Sequence, residues 1–259
     1  MKKEILAQLE EIQAEKNIRI FYACEAGSRA WGFPSVDSDY DVRILYAHPV
    51  EWYLSIDRKR DVIEMPISGD LDITGWELRK TLNLFRKSNG PLFEWLGSPI
   101  VYVEKFSVAE QLRALRPEYF SSTACVHHYL NMARRNKDYL QGNQINLKKL
   151  FYILRPALAV MWIEKGFGVV PTEFSTLVER MIDSPNLKGD ITKLIELKRN
   201  SKEADYGPLL TSVLDFTERE LNRMMQSNIV SDKPVASLEK LNQLFRNALE
   251  EIWCQGKMF

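Results

Sequence analysis

The stretch GSRAWGFPSVDSDYDVR, residues 27–43, follows one apolar run, Arg19 to Cys24, and opens another, Tyr40 to Tyr46. A Gly-Ser turn after a strand can present backbone N–H groups to a triphosphate, and Gly27 lets the chain approach without a side chain in the way. Asp39 and Asp41 are two residues apart, so on a strand their carboxylates share one face. Together these residues are a minimal kit for holding a metal-bound nucleotide.

Two plainer readings compete. Asp37, Asp39 and Asp41 alternate like the start of a calcium loop, but the sixth position, which needs glycine, is Val42, and the twelfth, which needs a bidentate glutamate, is His48. The acids can also cap a turn before a strand, since short Asp-x-Asp strings are common in surface loops. The order of strand, Gly-Ser, Asp-x-Asp on a second strand, and a further acid on a third makes coincidence a poor explanation.

Working outward, Ile5, Leu6, Leu9 and Ile12 recur at helical spacing before Asn17. Val62 to Ile67, the turn Ser68-Gly69-Asp70, and Leu71 to Thr74 predict a hairpin whose second arm carries Asp72. From Gly75 the pattern reads as helix, with Leu78, Leu82 and Phe85 on one face and Trp76, Lys80, Asn83 and Lys87 on the other. A short helix, LFEWL, and a strand, Pro99 to Val103, complete a unit of ordinary domain size. From Ser121 long helical patterns dominate: HHYLNMARRNKDYL, KKLFYILRPALAVMWIEK, FSTLVERMI, ITKLIELKRN, PLLTSVLDFTERELNRMMQ and LEKLNQLFRNALEEIW. The expected fold class is α+β, a mixed sheet with flanking helices over 1–118 followed by an all-α bundle over 119–259.

The chain has 259 residues, 45% of them hydrophobic, enough for a substantial core. Basic and acidic residues both number 35, so no global charge draws the protein to nucleic acid or membrane. Residues 1–110 hold 14 basic and 18 acidic residues, which leaves the second half basic and able to face phosphates. Cys24, Cys125 and Cys254 fall in no metal or redox spacing, and no apolar stretch has signal-peptide or membrane-spanning length. A cytoplasmic protein with free thiols and no membrane partner is expected; the sequence leaves oligomeric state open.

GS, ten residues, Asp-x-Asp and a later Asp resemble the nucleotidyltransferases of the DNA polymerase β superfamily. With GWELRKTLNLFRKSNGPLFEWLGSPIVY and KKLFYILRPALAVMWI, the chain is similar to the RNA-ligase-associated predicted nucleotidyltransferases of bacteria and phages over roughly residues 20 to 165. The resemblance implies that Gly27 and Ser28 hold the terminal phosphates of an NTP such as ATP, and that Asp39 and Asp41 bind two Mg²⁺ ions. Asp72, with Asp70 as the alternative, is the implied third carboxylate, helping to hold metal and accepting the proton of the attacking hydroxyl. The implied reaction moves a nucleoside monophosphate to an acceptor hydroxyl on RNA, a protein or a small molecule. A non-catalytic nucleotide sensor or RNA-binding module is the alternative.

Other polar residues extend the candidate site. Lys80 could reach phosphates from the helix after Asp72, though a solvated face is the simpler role. Arg29 and Arg43 flank the motif, and Arg43 is also placed to neutralise the acids as an ion pair. Lys148, Tyr152 and Arg155, with Lys149 beside them, share one face of a helix that could close over a nucleotide. His127 and His128 diverge by about 100° on a helix, so they are read as core edge or surface. Trp31, inside the loop, is the aromatic nearest the expected phosphates.

Overall fold

The structure is a computed structural model that describes residues 1–137, 145–202, 206–207, 210–226 and 237–254. Helix α1 (Lys2–Lys16) buries Ile5, Leu9 and Ile12 and stops at Asn17, which takes the left-handed conformation that asparagine tolerates better than most residues. Strand β1 (Arg19–Glu25) follows and is buried at every position after Arg19. Such a strand has both faces covered. Then come α2 (Gly27–Trp31), β2 (Tyr40–Ala47), α3 (Val50–Tyr53), β3 (Val62–Glu64) and β4 (Leu71–Glu77).

The expected hairpin forms, with β3 antiparallel to β4. The strand does not end at Thr74, however. It runs to Glu77, whose carboxylate accepts the Arg79 and Lys80 N–H groups and so caps α4 (Leu78–Arg86). Trp76 is therefore a strand residue, and the helix begins three residues later than its apolar pattern suggests. Helix α5 (Gly90–Leu96) and β5 (Val101–Glu104) follow. The sheet order is β3-β4-β2-β1-β5, with β2 and β4 parallel and the other neighbours antiparallel.

The described residues beyond β5 are mainly helical: α6 (Val108–Tyr119), α7 (Ser122–Arg134), α8 (Leu147–Glu164), α9 (Phe174–Met181), α10 (Pro185–Arg199), α11 (Thr211–Gln226) and α12 (Leu238–Cys254). A two-residue pair, β6 (Ile145–Asn146) with β7 (Tyr206–Gly207), joins the segments before α8 and after α10. The expected continuation of the α7 pattern through Tyr139 and Leu140, and the Pro208-Leu209 start of the α11 pattern, lie outside the described residues. No helix among the described residues is long and apolar enough to cross a membrane.

Two apolar clusters flank the sheet. Alternate residues of β2, Val42, Ile44 and Tyr46, meet α1 on one side. Leu45 and Ala47 face the other way, into a cluster running from Phe21 in β1 to Ile252 in α12. Period-two alternation then puts Asp41 and Arg43 on this second, helix-covered side. Helix α8 lies at the centre of that cluster, buried from Leu150 through Val160 except at Tyr152.

Candidate active site

Strands β2 and β4 run parallel with Asp41 opposite Asp72 and Arg43 opposite Thr74. Neighbouring strands lie about 4.8 Å apart, so this register alone brings the two carboxylates together. Asp70 precedes β4 and is exposed; its carbonyl accepts the Tyr40 N–H at 2.6 Å. Of the two acids, the fold brings Asp72 to Asp41. Asp39 lies just before β2, exposed at the rim.

Arg43 ties the pair. Its Nη2 lies 2.6 Å from Asp41 Oδ1 and 2.9 Å from Asp72 Oδ2, and its Nη1 donates to the Asp72 carbonyl at 3.2 Å. Burial pushes the Asp41 carboxyl above the usual carboxylate range; Arg43 and Lys148 oppose this, and the charges of Asp72 and Asp39 add to it. Lys148, in the first turn of α8, thus acts electrostatically on Asp41 from the helical half of the chain.

Asp41 is also held through its backbone. Its N–H donates to Glu25 Oε1 at 2.7 Å, and its carbonyl accepts from Ala26 N–H at 2.8 Å. Glu25 is fully buried, takes a second hydrogen bond from the Tyr102 hydroxyl, and has its carboxyl pushed up by burial. Gly27 adopts φ +59°, and a Cβ there would stand 2.2 Å from Asp41 Oδ2. Both the backbone angle and the close approach require glycine.

Ser28 is buried, with its hydroxyl donating to Ser38 Oγ at 3.2 Å. Ser38 Oγ in turn accepts the Ser35 N–H at 2.9 Å, and Ser35 Oγ accepts from Lys198 Nζ at 2.6 Å. Arg29 reaches back to the carbonyls of Ser38 and Asp39 and lies 3.7 Å over the Tyr40 ring. Arg29 and Ser28 therefore brace the loop that delivers Asp39. From α10, Arg199 bonds the Gly32 carbonyl and the Ser201 carbonyl accepts Val36 N–H, so the helical half clips the same loop.

A cavity of about 290 Å³ opens beside these residues, lined by Gly27, Asp41 and Arg43 at one end and by Trp31, Trp95, His128, Met132 and Tyr152 further in. Tyr152 packs edge-on to Trp31 at 5.2 Å. Arg155 does not reach the cavity. It is fully buried, 2.8 Å from Glu94 Oε1, bonded to the Thr172 carbonyl, and 4.5 Å over the Trp31 ring. Glu94 also accepts from Trp31 Nε1 and the Tyr129 hydroxyl, so Arg155 closes a buried network beneath the cavity wall.

Lys80 departs from expectation too. It pairs with Asp61 at 3.1 Å beyond the C-terminal end of β4. Asp72 and Glu77 are five strand residues apart, about 16 Å. Without the helical turn expected at Trp76, Lys80 has no path along α4 to the carboxylates.

Glu25, Glu94, His128 and Lys198 were not singled out for these positions by sequence. A glutamate ending the apolar run RIFYACE, another inside LFEWL, and a lysine at the Ile191-Leu194-Lys198 spacing were the available signals. His128 lines the cavity, its Nε2 has no partner among the described residues, and burial holds its pKa below the usual range. Gly90 makes room for it: a Cβ there would meet His128 Cδ2 at 2.5 Å.

The family model described as "RNA repair pathway DNA polymerase beta family" matches residues 1–247. The chain belongs to this family. The polymerase β family assignment covers nearly the whole sequence, including the helical half that the motifs alone did not reach. Among curated proteins, "Uncharacterized protein YcgL" of Bacillus subtilis (strain 168) is 50% identical over 259 residues, covering 99% of each chain. Among solved structures, a nucleotidyltransferase-like protein from Exiguobacterium sibiricum 255-15 matches at 10% identity and a TM-score of 0.32, over 99% of this chain and 91% of that one.

Proposed function

We propose that this family member is a Mg²⁺-dependent nucleotidyltransferase that moves a nucleoside monophosphate from an NTP, ATP among the candidates, to an acceptor hydroxyl. The observation that carries the reading is the register that sets Asp41 opposite Asp72, with Gly27 against the Asp41 carboxylate and both Gly27 and Asp41 lining a cavity.

The donor set suits a hard divalent cation. Carboxylate oxygens are the ligands Mg²⁺ prefers, and the mutual repulsion of Asp41, Asp72 and Asp39 is what such an ion relieves. Among the described residues no three acid, imidazole or thiolate groups form a ready cage, and Arg43 takes up an oxygen from each of Asp41 and Asp72. Asp39, Asp41 and Asp72 would hold the ions, and Arg43 would have to yield. Bound there, the ions would neutralise charge building on the leaving pyrophosphate.

The chain's own residues would do the rest. The acceptor oxygen attacks the α-phosphorus, its proton passes toward Asp72, and the bond to the bridging oxygen breaks with its electrons leaving on pyrophosphate. Gly27 lets backbone approach the phosphates, Lys148 supplies positive charge from α8, and Tyr152 and Trp31 offer an aromatic wall for a nucleoside. Buried Cys24 and Cys125 and exposed Cys254 carry no disulfide, which supports a reducing compartment such as the cytoplasm.

The test is incubation with each α-phosphate-labelled NTP and a pool of RNA, protein and small-molecule acceptors. Label transfer and pyrophosphate release in the unsubstituted protein, both lost in Asp41→Asn and Asp72→Asn, are expected. Equal transfer after either change would refute the assignment. The Arg43 bridge supports a second reading, a nucleotide sensor without turnover. Mg²⁺-dependent thermal stabilisation by NTP, with no pyrophosphate released in the presence of every acceptor, would select it.

A further inference from the structure

Away from Asp41, several polar side chains on the wall of the 290 Å³ cavity already have partners. Trp31 Nε1 donates to Glu94, the Glu94 carboxylate also takes Arg155 and Tyr129, and the Thr172 hydroxyl donates to the Glu94 carbonyl. His128 of α7 differs. Its Nε2 is buried and has no hydrogen-bond partner among the described residues. A buried polar atom left in that state costs stability, so one that persists calls for a role.

The chain also makes room for this ring. Gly90 opens α5 against it, and a Cβ there would stand 2.5 Å from Cδ2 and 2.9 Å from Cγ, so any other residue would crowd the imidazole. A half-turn about the Cβ–Cγ bond exchanges nitrogen and carbon positions without changing the ring's outline, and the ring can therefore offer a nitrogen to a ligand without repacking its neighbours. Burial lowers the His128 pKa; Glu94 works against this, Arg155 and Arg135 add to it, and the ring is neutral at pH 7. A neutral imidazole carries one donor and one acceptor. That matches the mixed edge of a nucleobase better than a phosphate, which favours charged donors.

His128 belongs to the helical part of the wall, whereas Gly27 and Asp41 come from the turn and strand at the other end. An NTP with its phosphates at Gly27 and Asp41 turns its base, the part furthest from them, toward the helical wall. We propose that His128 reads the donor nucleobase, its ring nitrogen bonding to the base edge and setting which NTP is preferred. The proposal rests on the reading that an NTP binds at Gly27 and Asp41, and it adds a specificity-determining residue from the helical half.

The experiment titrates the full chain, with Mg²⁺ and no acceptor, against the four NTPs and against inorganic tripolyphosphate, which keeps the phosphates and lacks the nucleoside. The unsubstituted protein should favour one NTP. His128→Phe should weaken that NTP about tenfold, the scale of one hydrogen bond whose loss leaves a base edge unpaired, and bring the four within about twofold of one another. Tripolyphosphate binding should not change. His128→Gln, which places an amide near the Nε2 position, should keep part of the preference, and His128→Leu replaces Phe if the larger ring does not fit against Gly90. Without nucleotide, the apolar variant should melt at the same temperature or higher, because a buried nitrogen with no partner is gone. The chain has three histidines, so selective ¹⁵N-histidine NMR can follow this ring directly: the preferred NTP should shift its nitrogen signals and tripolyphosphate should not.

The assignment is overturned if the unsubstituted protein binds the four NTPs equally, if the preference survives in the apolar variants, or if the NTP leaves the His128 signals in place. An equal loss for all four NTPs overturns it too, since the ring would then hold the sugar. A base preference that depends on His128, with no label passed to any acceptor, supports the assignment and defeats the transferase reading. Label transfer with a preference indifferent to His128 does the reverse, and failure of every NTP to bind defeats both.

Discussion

Gly27 shows how narrowly one residue is constrained by another fourteen positions away. A methyl group there would collide with Asp41 Oδ2 and hold a left-handed backbone that costs most residues about 1–2 kcal/mol. Gly27→Ala should therefore lower the thermal midpoint by about 2–4 °C per kcal/mol and, by displacing the Asp41 carboxylate, cut transfer on the order of 100-fold. Asp41 itself gives a prediction of opposite sign for stability. Burial raises its carboxyl pKa, so ionisation above that value costs folding free energy, and stability from this group is fullest at acid pH. Asp41→Asn removes the charge; in metal-free buffer at pH 7.5 it should raise the melting temperature by a few degrees while abolishing transfer. A lower melting temperature with normal transfer would contradict both roles. The Asp-x-Asp alternation made Asp39 and Asp41 legible in the sequence. The choice of Asp72 over Asp70 was not, because it depends on which residue begins β4 and on the β2–β4 register. Glu25 was hidden for a related reason: a buried carboxylate looks like an error in an apolar strand until its Asp41 and Tyr102 partners are seen.

At the scale of elements, α5, α7 and α8 are joined by a buried charge rather than by apolar packing alone. An arginine before proline in an apolar helix signals an unusual role, and the sequence reading took that role to be nucleotide contact. The partner that decides otherwise, Glu94, is 61 residues away in α5. Removing one member of a buried pair leaves the other uncompensated, so Arg155→Met should cost about 3–5 kcal/mol in urea unfolding. Adding Glu94→Gln should recover part of that loss; a double variant as unstable as the sum of the singles would mean the two side chains do not act as a pair. The β2–α3 junction carries a pH response. His48 stacks on Trp52 at 4.3 Å, and burial, with Lys59 adding to it, lowers its pKa to about 4. Between pH 6.5 and 4 the unfolded chain binds the proton and the folded chain does not, so this group's stability is present above 6.5 and fades as pH falls. His48→Phe keeps the stacking surface and should flatten that part of the acid limb relative to the unsubstituted protein, measured as thermal midpoint at pH 7 and pH 5. The α4 boundary teaches the same lesson about range. Leu78, Leu82 and Phe85 announced the helix correctly, but strand pairing with Val62 extends β4 through Trp76, and helical periodicity contains no trace of that pairing.

For the molecule as a whole, the change from α/β to all-α pattern near residue 118 is plain in the sequence, but it does not separate two cores. One face of the sheet is covered by α1; the other, with Phe21, Tyr22 and Leu45, is buried in the same apolar cluster as α8 and α12. Polar contacts cross the same line. Glu251 of α12 bonds the Ser107 N–H and hydroxyl, the Tyr119 hydroxyl donates to the Ser237 carbonyl, and Lys198 and Arg199 reach the loop before Asp39. Periodicity reports which face of an element is apolar but not which distant element covers it, which is why the composition shift looked like a boundary. A core shared in this way should unfold as one unit. Near-UV and far-UV circular dichroism of the full chain should give coincident urea transitions. A fragment of residues 1–118 would expose the second face of the sheet, together with the Phe85 and Phe93 rings that pack on Tyr119 and Phe120. It should lack a cooperative transition and bind a hydrophobic dye. Two separated transitions in the full chain, or a fragment with a sharp transition of its own, would show that the sheet half stands alone and that the helices only cover it.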